Sequence, residues 1–175
     1  MASALQLRPA AAADFPAIQA IYSHHVIHGL ASFEEVPPAL EEMRRRHADC
    51  AAASLPWLVA DIGASVAGYG YCSPYRSRSA YRYSLEDSVY VRPDAQGKGV
   101  GSALLRELIA RCEALGYRQM IAVIGDSANA ASINLHASHG FLRAGLLRSS
   151  GFKLGRWVDS VLMQRPLGRG DASPP

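Results

Sequence analysis

The chain of 175 residues has a formal net charge of +3, a hydrophobic content of 49% and a charged content of 19%. These values are typical of one globular domain, and they favour neither a nucleic-acid-binding protein nor a transmembrane one, since no segment approaches the roughly 20 apolar residues of a membrane span. The N terminus lacks the pattern of a signal peptide. Its three cysteines, Cys50, Cys72 and Cys112, show no metal-ligand spacing, so we expect a cytoplasmic protein with reduced thiols and no metal.

The first half of the chain predicts an alternation of strand, helices and a hairpin. Asp14 has the character of a helix N-cap, and prolines precede the second helix. In chain order, the predicted elements are a strand at 5–8, a helix from Asp14 to Gly29, a helix at 40–50, and strands at 57–61 and 66–72 about a turn at Gly63.

The second half predicts a long strand, a glycine-rich turn and an amphipathic helix, followed by shorter elements. These are a strand at 81–91, a helix at 102–115 ended by Gly116, a strand at 120–124, a helix at 130–139 capped by Asn129, and a final strand at 157–167. The order β-α-α-β-β-β-α-β-α-β indicates an α+β fold in a single domain, residues 1–167. Residues 168–175 form a small, polar tail that we expect to be disordered.

The glycine-rich turn at 96–101, sequence QGKGVG, lies between a strand and a helix. Free backbone N–H groups and the helix dipole make such a turn an anion site, and glycine allows close approach of a phosphate. The Walker spacing is absent, and the spacing differs from the dinucleotide fingerprint. The segment instead fits Q-x-x-G-x-G, with Gln96, Gly99 and Gly101 at the defined positions.

That pattern resembles the pyrophosphate loop of the GNAT acetyltransferases. Further segments are similar to the phosphinothricin and methionine sulfoximine N-acetyltransferase branch: FEEVPP at 33–38, LEDSVYV at 85–91, NAASINLHASHGF at 129–141 and GFKLGRWVDSVLMQ at 151–164. The resemblance covers residues 5 to about 167. It implies a mixed, mostly antiparallel sheet flanked by helices, acetyl-CoA as co-substrate and a homodimer.

Two residues are candidates for the chemistry, because acetyl transfer needs a base for the ammonium and a proton for the thiolate. Glu86 matches the glutamate that the family uses as its base; the alternative is a strand residue that faces solvent. His136 stands where this branch resembles a histidine version of the family's acid, and imidazole has a suitable pKa. A structural or CoA-contacting role for His136 stays open.

The resemblance also implies the acetyl-CoA contacts. Strand backbone would bind pantetheine, the turn amides would bind pyrophosphate, and Asn129 could cap its helix, contact pantetheine, or do both. The predicted contacts are Val89, Tyr90, Val91, Gln96, Gly97, Lys98, Gly99, Val100, Gly101, Ser102, Asn129 and Ser132.

For the acceptor, Arg76 and Arg78 lie in an aromatic-flanked loop, and guanidinium groups suit carboxylate or phosphinate. Tyr81, Phe33 and Glu34 complete the predicted substrate contacts; a solvated loop and a core phenylalanine are the alternatives. The motif containing Arg156, Trp157 and Asp159 could line the acceptor site or a dimer interface, and the sequence does not separate these roles.

The sequence therefore predicts an acetyl-CoA-dependent N-acetyltransferase. Its expected acceptor is the α-amine of a small acidic amino acid such as phosphinothricin, methionine sulfoximine or methionine sulfone, attacked directly in a ternary complex and thereby detoxified. The alternatives are another amine (a peptide N-terminus, a polyamine or an aminoglycoside) or a non-catalytic acyl-CoA sensor.

Overall fold

A computed structural model describes residues 4–175. Seven strands form one sheet in the order β1-β2-β3-β4-β5-β7-β6, and within it only the β4–β5 pair is parallel. The mixed, mostly antiparallel sheet is therefore confirmed. The strands are β1 (Leu5–Pro9), β2 (Trp57–Ile62), β3 (Ser65–Pro74), β4 (Ser84–Val91), β5 (Gln119–Gly125), β6 (Leu142–Lys153) and β7 (Arg156–Pro166).

Helices cover both faces of the sheet. They are α1 (Phe15–His28), α2 (Leu40–Ala52), α3 (Val100–Ala114) and α4 (Ala130–Ser138). The α3 helix packs on the face where β3 carries glycine, since a Cβ on Gly70 would come within 3.1 Å of the Leu108 side chain. On the other face, Tyr69 stacks on Tyr90, and Tyr22 of α1 meets Tyr90 edge-on at 4.9 Å.

The strands β4 and β5 separate along their length. Their parallel pairing runs from Ser84 opposite Gln119 to Asp87 opposite Ala122 and ends there, although both strands continue for several residues. Beyond Asp87, the β5 side of β4 has no strand partner, so its backbone groups are free to bind another extended molecule. This opening positions the candidate site.

Two of the expectations for the strands were wrong. The sequence predicted one strand after Gly140, but β6 and β7 form a long hairpin there. The sequence of β6 lacks the regular alternation of apolar and polar residues that predicts a strand. It is an exposed edge strand, and its register shifts between Arg143 and Gly145 and between Leu147 and Gly151. Strand β4 begins at Ser84 and not at Tyr81, because Ser79–Tyr81 forms a 3-10 turn.

Asp14 precedes α1 as predicted but does not cap it with its side chain. Its carboxylate accepts hydrogen bonds from the Ala11 N–H at 2.7 Å and from the Arg8 guanidinium at 2.6 and 2.9 Å. The hydrogen bond from Arg8 lowers the pKa of Asp14. Arg8 also donates to Asp61 at 2.7 Å, so it joins β1 and β2 to the start of α1.

The final residues, 168–175, form turns beside β5. Arg118 donates to the Gly170 carbonyl at 3.3 Å and to the Pro174 carbonyl at 2.9 Å. None of the helices within residues 4–175 combines the length and apolar character needed to cross a membrane. The same residues contain no group of three or more His, Cys, Asp or Glu side chains arranged to hold a metal ion.

Candidate active site

A groove of about 700 Å³ lies where β4 and β5 separate. It is lined by eleven of the twelve residues predicted to contact acetyl-CoA, all except Lys98, whose side chain is exposed. The eleven are Val89, Tyr90, Val91, Gln96, Gly97, Gly99, Val100, Gly101, Ser102, Asn129 and Ser132.

The glycine turn has the conformation of an anion-binding loop. Gly97 and Gly99 have φ angles of +72° and +80°, in the left-handed region, and Gly99 immediately precedes α3. A Cβ on Gly101 would approach Leu135 of α4 to 3.3 Å, so the third glycine allows the two helices to lie close together. The start of α3, where the backbone N–H groups have no partner within the helix, thus forms part of the groove wall.

His25 of α1 contributes to the groove wall, a role that sequence reasoning missed. Its Nε2 lies 2.9 Å from the Val91 carbonyl, which can only accept, so Nε2 carries a hydrogen. Burial lowers the pKa of His25. A neutral His25 therefore holds the end of β4 in place. The sequence has histidines at 24, 25 and 28, and their spacing did not indicate which of them would contact β4.

On α4, the predicted cap is confirmed, since Asn129 Oδ1 accepts from the Ser132 N–H at 3.1 Å. His136 is buried, with 5% of its surface exposed. Its Nδ1 lies 2.7 Å from the Ser132 carbonyl, and its Nε2 lies 3.0 Å from Asp87 Oδ2. Burial lowers the pKa of His136, but the hydrogen bond and charge of Asp87 outweigh it, and the net pKa is raised.

A second cavity of about 270 Å³ opens on the opposite face of β4. Glu86 forms part of its wall with Phe33 and with Tyr22, Tyr71 and Tyr90. Burial, and then the charge of neighbouring Asp87, raise the pKa of Glu86. No cation pairs with Glu86 among the described residues, so this carboxylate is available to accept a proton.

The two cavities meet at Ala31, Tyr90 and Gly125, which line both. A Cβ on Gly125 would lie 1.9 Å from the Leu30 carbonyl oxygen, so only glycine lets the segment after α1 pass over the end of β5. Lys153 of β6 also holds this segment in place, because its ammonium donates a hydrogen bond to the Ser32 carbonyl at 2.6 Å. Sequence reasoning missed both residues, which single-sequence patterns do not mark.

The structure does not bring the predicted acceptor contacts Arg76, Arg78 and Tyr81 to the walls of the Glu86 cavity. Arg76 instead lies over the rings of Tyr75 and Tyr81, at 5.1 and 5.9 Å. The early turn at Ser79–Tyr81 keeps this loop exposed at the start of β4.

Glu34 lies close to the cavity, but its carboxylate is already bound. It accepts from Arg46 at 2.7 Å and from the Tyr22 hydroxyl at 2.8 Å. Phe33 does line the cavity, and it packs over Gly151, where a Cβ would lie 2.5 Å from its ring. Of the predicted pair, Phe33 is therefore the one that faces the cavity.

The motif near the C terminus serves the β6–β7 hairpin. Asp159 accepts from the Ser149 N–H and the Ser127 hydroxyl, both at 2.9 Å, and Arg156 pairs with Asp126. Trp157 is 65% exposed and contacts Phe152 edge-on at 5.3 Å. None of the three lines the Glu86 cavity.

The arrangement suits transfer between two substrates. An anion-binding groove along a free strand edge meets the cavity that contains the half-buried Glu86, and the protonatable His136 of α4 lies on the opposite side of the same strand.

The comparisons with known proteins agree with this chemistry. A family model described as the acetyltransferase (GNAT) family matches residues 20–141. The chain is 60% identical to a phosphinothricin N-acetyltransferase of Alcaligenes faecalis, over 93% of this chain and 82% of that protein. It is 40% identical to an L-methionine sulfoximine/L-methionine sulfone acetyltransferase of Pseudomonas aeruginosa, over 96% and 98% of the two chains.

Solved structures are similar along nearly the whole chain. A GNAT phosphinothricin acetyltransferase from Sinorhizobium meliloti, in complex with acetyl-CoA, superposes with a TM-score of 0.94 at 49% identity, covering 98% of this chain and 92% of that one. A protein from Salmonella typhimurium, solved with its cofactor acetyl-CoA, superposes with a TM-score of 0.94 at 37% identity, covering 98% of each chain.

Proposed function

Because the chain belongs to the acetyltransferase (GNAT) family, we propose that it acetylates the α-amine of a small amino-acid-like acceptor such as phosphinothricin, methionine sulfoximine or methionine sulfone. Acetyl-CoA is the co-substrate. The observation that carries the proposal is Glu86, a half-buried carboxylate without a cationic partner among the described residues, in the wall of the cavity that meets the groove at Ala31, Tyr90 and Gly125. The acceptor class rests on the names of the relatives.

Glu86 accepts a proton from the acceptor ammonium, directly or through a water, and the free amine attacks the thioester carbonyl. Burial raises the pKa of Glu86 and so brings this base closer to an α-ammonium with a pKa of about 8. Transfer is direct, in one ternary complex. In support, Cys50, Cys72 and Cys112 are buried, and none of them lines the groove or the Glu86 cavity.

The Arg76/Arg78 loop and Tyr81 recognise the acidic group of the acceptor. Arg76 is exposed and lies over two tyrosine rings, and its planar guanidinium suits a carboxylate or phosphinate. Phe33 closes the cavity on the other side. Closure of this loop over a bound acceptor would bring the arginines to the cavity.

A cationic acceptor, such as a polyamine, is the second candidate. The cavity walls carry Glu86 and three tyrosines and no cationic side chain, and such walls suit a positively charged ligand.

A thiol-release assay with acetyl-CoA separates these candidates. The panel contains phosphinothricin, methionine sulfoximine, methionine sulfone, glutamate, spermidine, an aminoglycoside and a short peptide. We expect turnover only of the first three, and an Arg76→Ala/Arg78→Ala variant should raise the KM for those acceptors while leaving that for acetyl-CoA unchanged. Turnover confined to spermidine or the aminoglycoside would overturn the acceptor class, and binding of acetyl-CoA without any turnover would favour a sensor.

We further propose that the protein is a cytoplasmic homodimer whose activity detoxifies its acceptor. Apolar side chains of the β6–β7 hairpin support the dimer, since Leu147, Phe152, Leu154 and Trp157 are each more than half exposed, at 51–65%. Three free cysteines support a reducing compartment. Light scattering of the wild type and of Trp157→Ser tests the dimer, with a shift to monomer expected in the variant.

A further inference from the structure

The side chains of Asp87, His136 and Ser132 form a continuous polar chain from β4 to the groove. Asp87 Oδ2 lies 3.0 Å from His136 Nε2, and His136 Nδ1 lies 3.4 Å from Ser132 Oγ as well as 2.7 Å from the Ser132 carbonyl. A carboxylate, an imidazole and a hydroxyl in this order can pass one proton along the chain. Here Ser132, at the hydroxyl end, lines the groove and not the Glu86 cavity.

His136 does not reach the groove itself. Both of its ring nitrogens are engaged, and it lines only a small cavity of about 50 Å³ behind the groove. Ser132 lines both that cavity and the groove. Within this chain, the hydroxyl of Ser132 is therefore the group that can carry a proton from His136 into the groove.

The contacts of His136 place hydrogen on Nδ1 and favour hydrogen on Nε2. The Ser132 carbonyl can only accept, and Nε2 faces a carboxylate whose other oxygen, Oδ1, is buried without a hydrogen-bond partner. His136 is thus the group that compensates the charge of Asp87. The other ring packed against it belongs to apolar Phe141, at 5.0 Å, and His139 at the end of α4 is the other titratable group that interacts with it.

Building on the acetyl transfer proposed above, we propose that Ser132 is the catalytic residue that protonates the CoA thiolate, and that His136 and Asp87 are positioning residues that resupply its proton. As the C–S bond breaks, the sulfur electron pair takes the hydroxyl hydrogen of Ser132. The Nδ1 hydrogen of His136, which lies between the Ser132 carbonyl and the Ser132 hydroxyl, moves from the carbonyl to restore that hydroxyl, and Nδ1 stays without hydrogen until it is reprotonated. His136 is left neutral, with Nε2–H directed at ionised Asp87. The acceptor nitrogen loses two protons overall, of which one replaces the proton taken from His136 and one is released to solvent.

The test compares Ser132→Ala with Ser132→Thr, which keeps a hydroxyl at the same place. Both residues are compatible with the first turn of α4, because the cap of that helix uses only the backbone N–H of residue 132. We expect Ser132→Ala to lower kcat about 100-fold, the lower end of what general acid catalysis contributes. Ser132→Thr should stay within a few-fold of wild type, and the KM for acetyl-CoA should change little in either variant.

A wild-type kcat in Ser132→Ala, or a loss that appears only in the KM for acetyl-CoA, would overturn the relay. The pH profile adds a readout that a purely structural role would not move. In wild type and Ser132→Thr, kcat should fall as pH rises through the raised pKa of His136, and this alkaline limb should lie at lower pH in Asp87→Asn. An unmoved limb in folded Asp87→Asn would exclude Asp87 from the relay.

The same variants separate this inference from the proposed function. Slow hydrolysis of acetyl-CoA in the absence of any amine also releases a thiolate that needs a proton. Wild-type protein that hydrolyses acetyl-CoA but acetylates no amine would contradict the proposed acceptor alone. A loss of hydrolysis in Ser132→Ala with rescue in Ser132→Thr would still support the relay, and equal hydrolysis in all three proteins would overturn it.

Discussion

The two faces of β4 carry neighbouring carboxylates in opposite situations. Glu86 lines the second cavity, and no cation pairs with it among the residues that the structure describes. Asp87 points to the other face, is 6% exposed and is hydrogen-bonded to His136 at 3.0 Å. Because side chains alternate along a strand, one peptide bond separates a free base from a compensated ion pair.

The difference shows how one strand can serve two proton-transfer steps. A base must be able to change its charge during turnover, so Glu86 is left without a cationic partner. In the proposed relay, His136 holds a proton for the leaving thiolate, and such a group needs a fixed negative charge beside it. Asp87, buried next to His136, provides that charge. A thioester bound along the backbone between them, as proposed above, would pass both.

The largest expected effect comes from Glu86→Gln, which keeps the shape of the side chain and removes the base. We expect kcat to fall by about 10²–10⁴-fold with acetyl-CoA affinity retained, as measured by steady-state kinetics and titration calorimetry. Glu107→Gln, which changes a carboxylate paired with Arg111 on the exposed side of α3, is the matched control and should be fully active. An unchanged rate in Glu86→Gln would remove Glu86 from the mechanism.

Asp87→Asn should affect stability where Glu86→Gln does not. Loss of one partner of a buried pair leaves His136 uncompensated, and we expect a loss of about 3 kcal/mol in the free energy of unfolding. Since the pKa of His136 is raised in the folded protein, this contribution is fully present below its unfolded pKa of about 6.5 and is lost as pH rises through the folded pKa. Denaturant titrations at low and high pH measure this difference, and equal losses at both would contradict it.

Gly125→Ala tests the junction between the two faces. The new Cβ would overlap the Leu30 carbonyl oxygen, so the segment after α1 must move, at a cost of about 1–3 kcal/mol. We expect weaker binding of acetyl-CoA together with a lower melting temperature. Gly145→Ala is the control, since its Cβ would meet only a Leu162 methyl at 3.9 Å, and a similar result for both variants would argue against a specific role for Gly125.

The smallest effect concerns the acidic limb of the pH profile. Burial is the main cause of the raised pKa of Glu86, and the charge of Asp87 adds to it. Turnover should therefore fall as pH decreases through this raised pKa, and Asp87→Asn should move the limb slightly to lower pH. Rate measurements on folded Asp87→Asn provide the check, and a limb that moves to higher pH would show that the two carboxylates do not repel each other as the structure implies.

Much of the fold follows from local signals. Helical periodicity predicted α1 and α3, and residues at the helix ends located α2 and α4. Asn129 and Gly116 were correctly placed at helix ends, with a φ of +86° at Gly116. The hairpin of β6 and β7 could not be predicted as such, because an exposed edge strand with bulges has no regular alternation. The mixed sheet itself was expected through family resemblance and not from periodicity.

The candidate site likewise contains parts that local sequence predicts and parts that it does not. The glycine turn was predictable because a short motif carries its own mechanism in backbone geometry. The pairing of Asp87 with His136 was not, since it joins residues 49 positions apart. Nor could the sequence show that Arg46 binds Glu34, because long-range ion pairs leave no local pattern.

The separation of β4 from β5 also gives the co-substrate a place in the architecture of the sheet. Pantetheine bound along the free edge of β4 would act as a short additional strand, supplying the hydrogen bonds that β5 no longer makes beyond Asp87. Acetyl-CoA would then stabilise the folded state as well as react. At a concentration one hundred times its Kd, binding would add about 2.7 kcal/mol to the free energy of unfolding. The lifetime of the protein against proteases would accordingly follow the supply of acetyl-CoA in the cell.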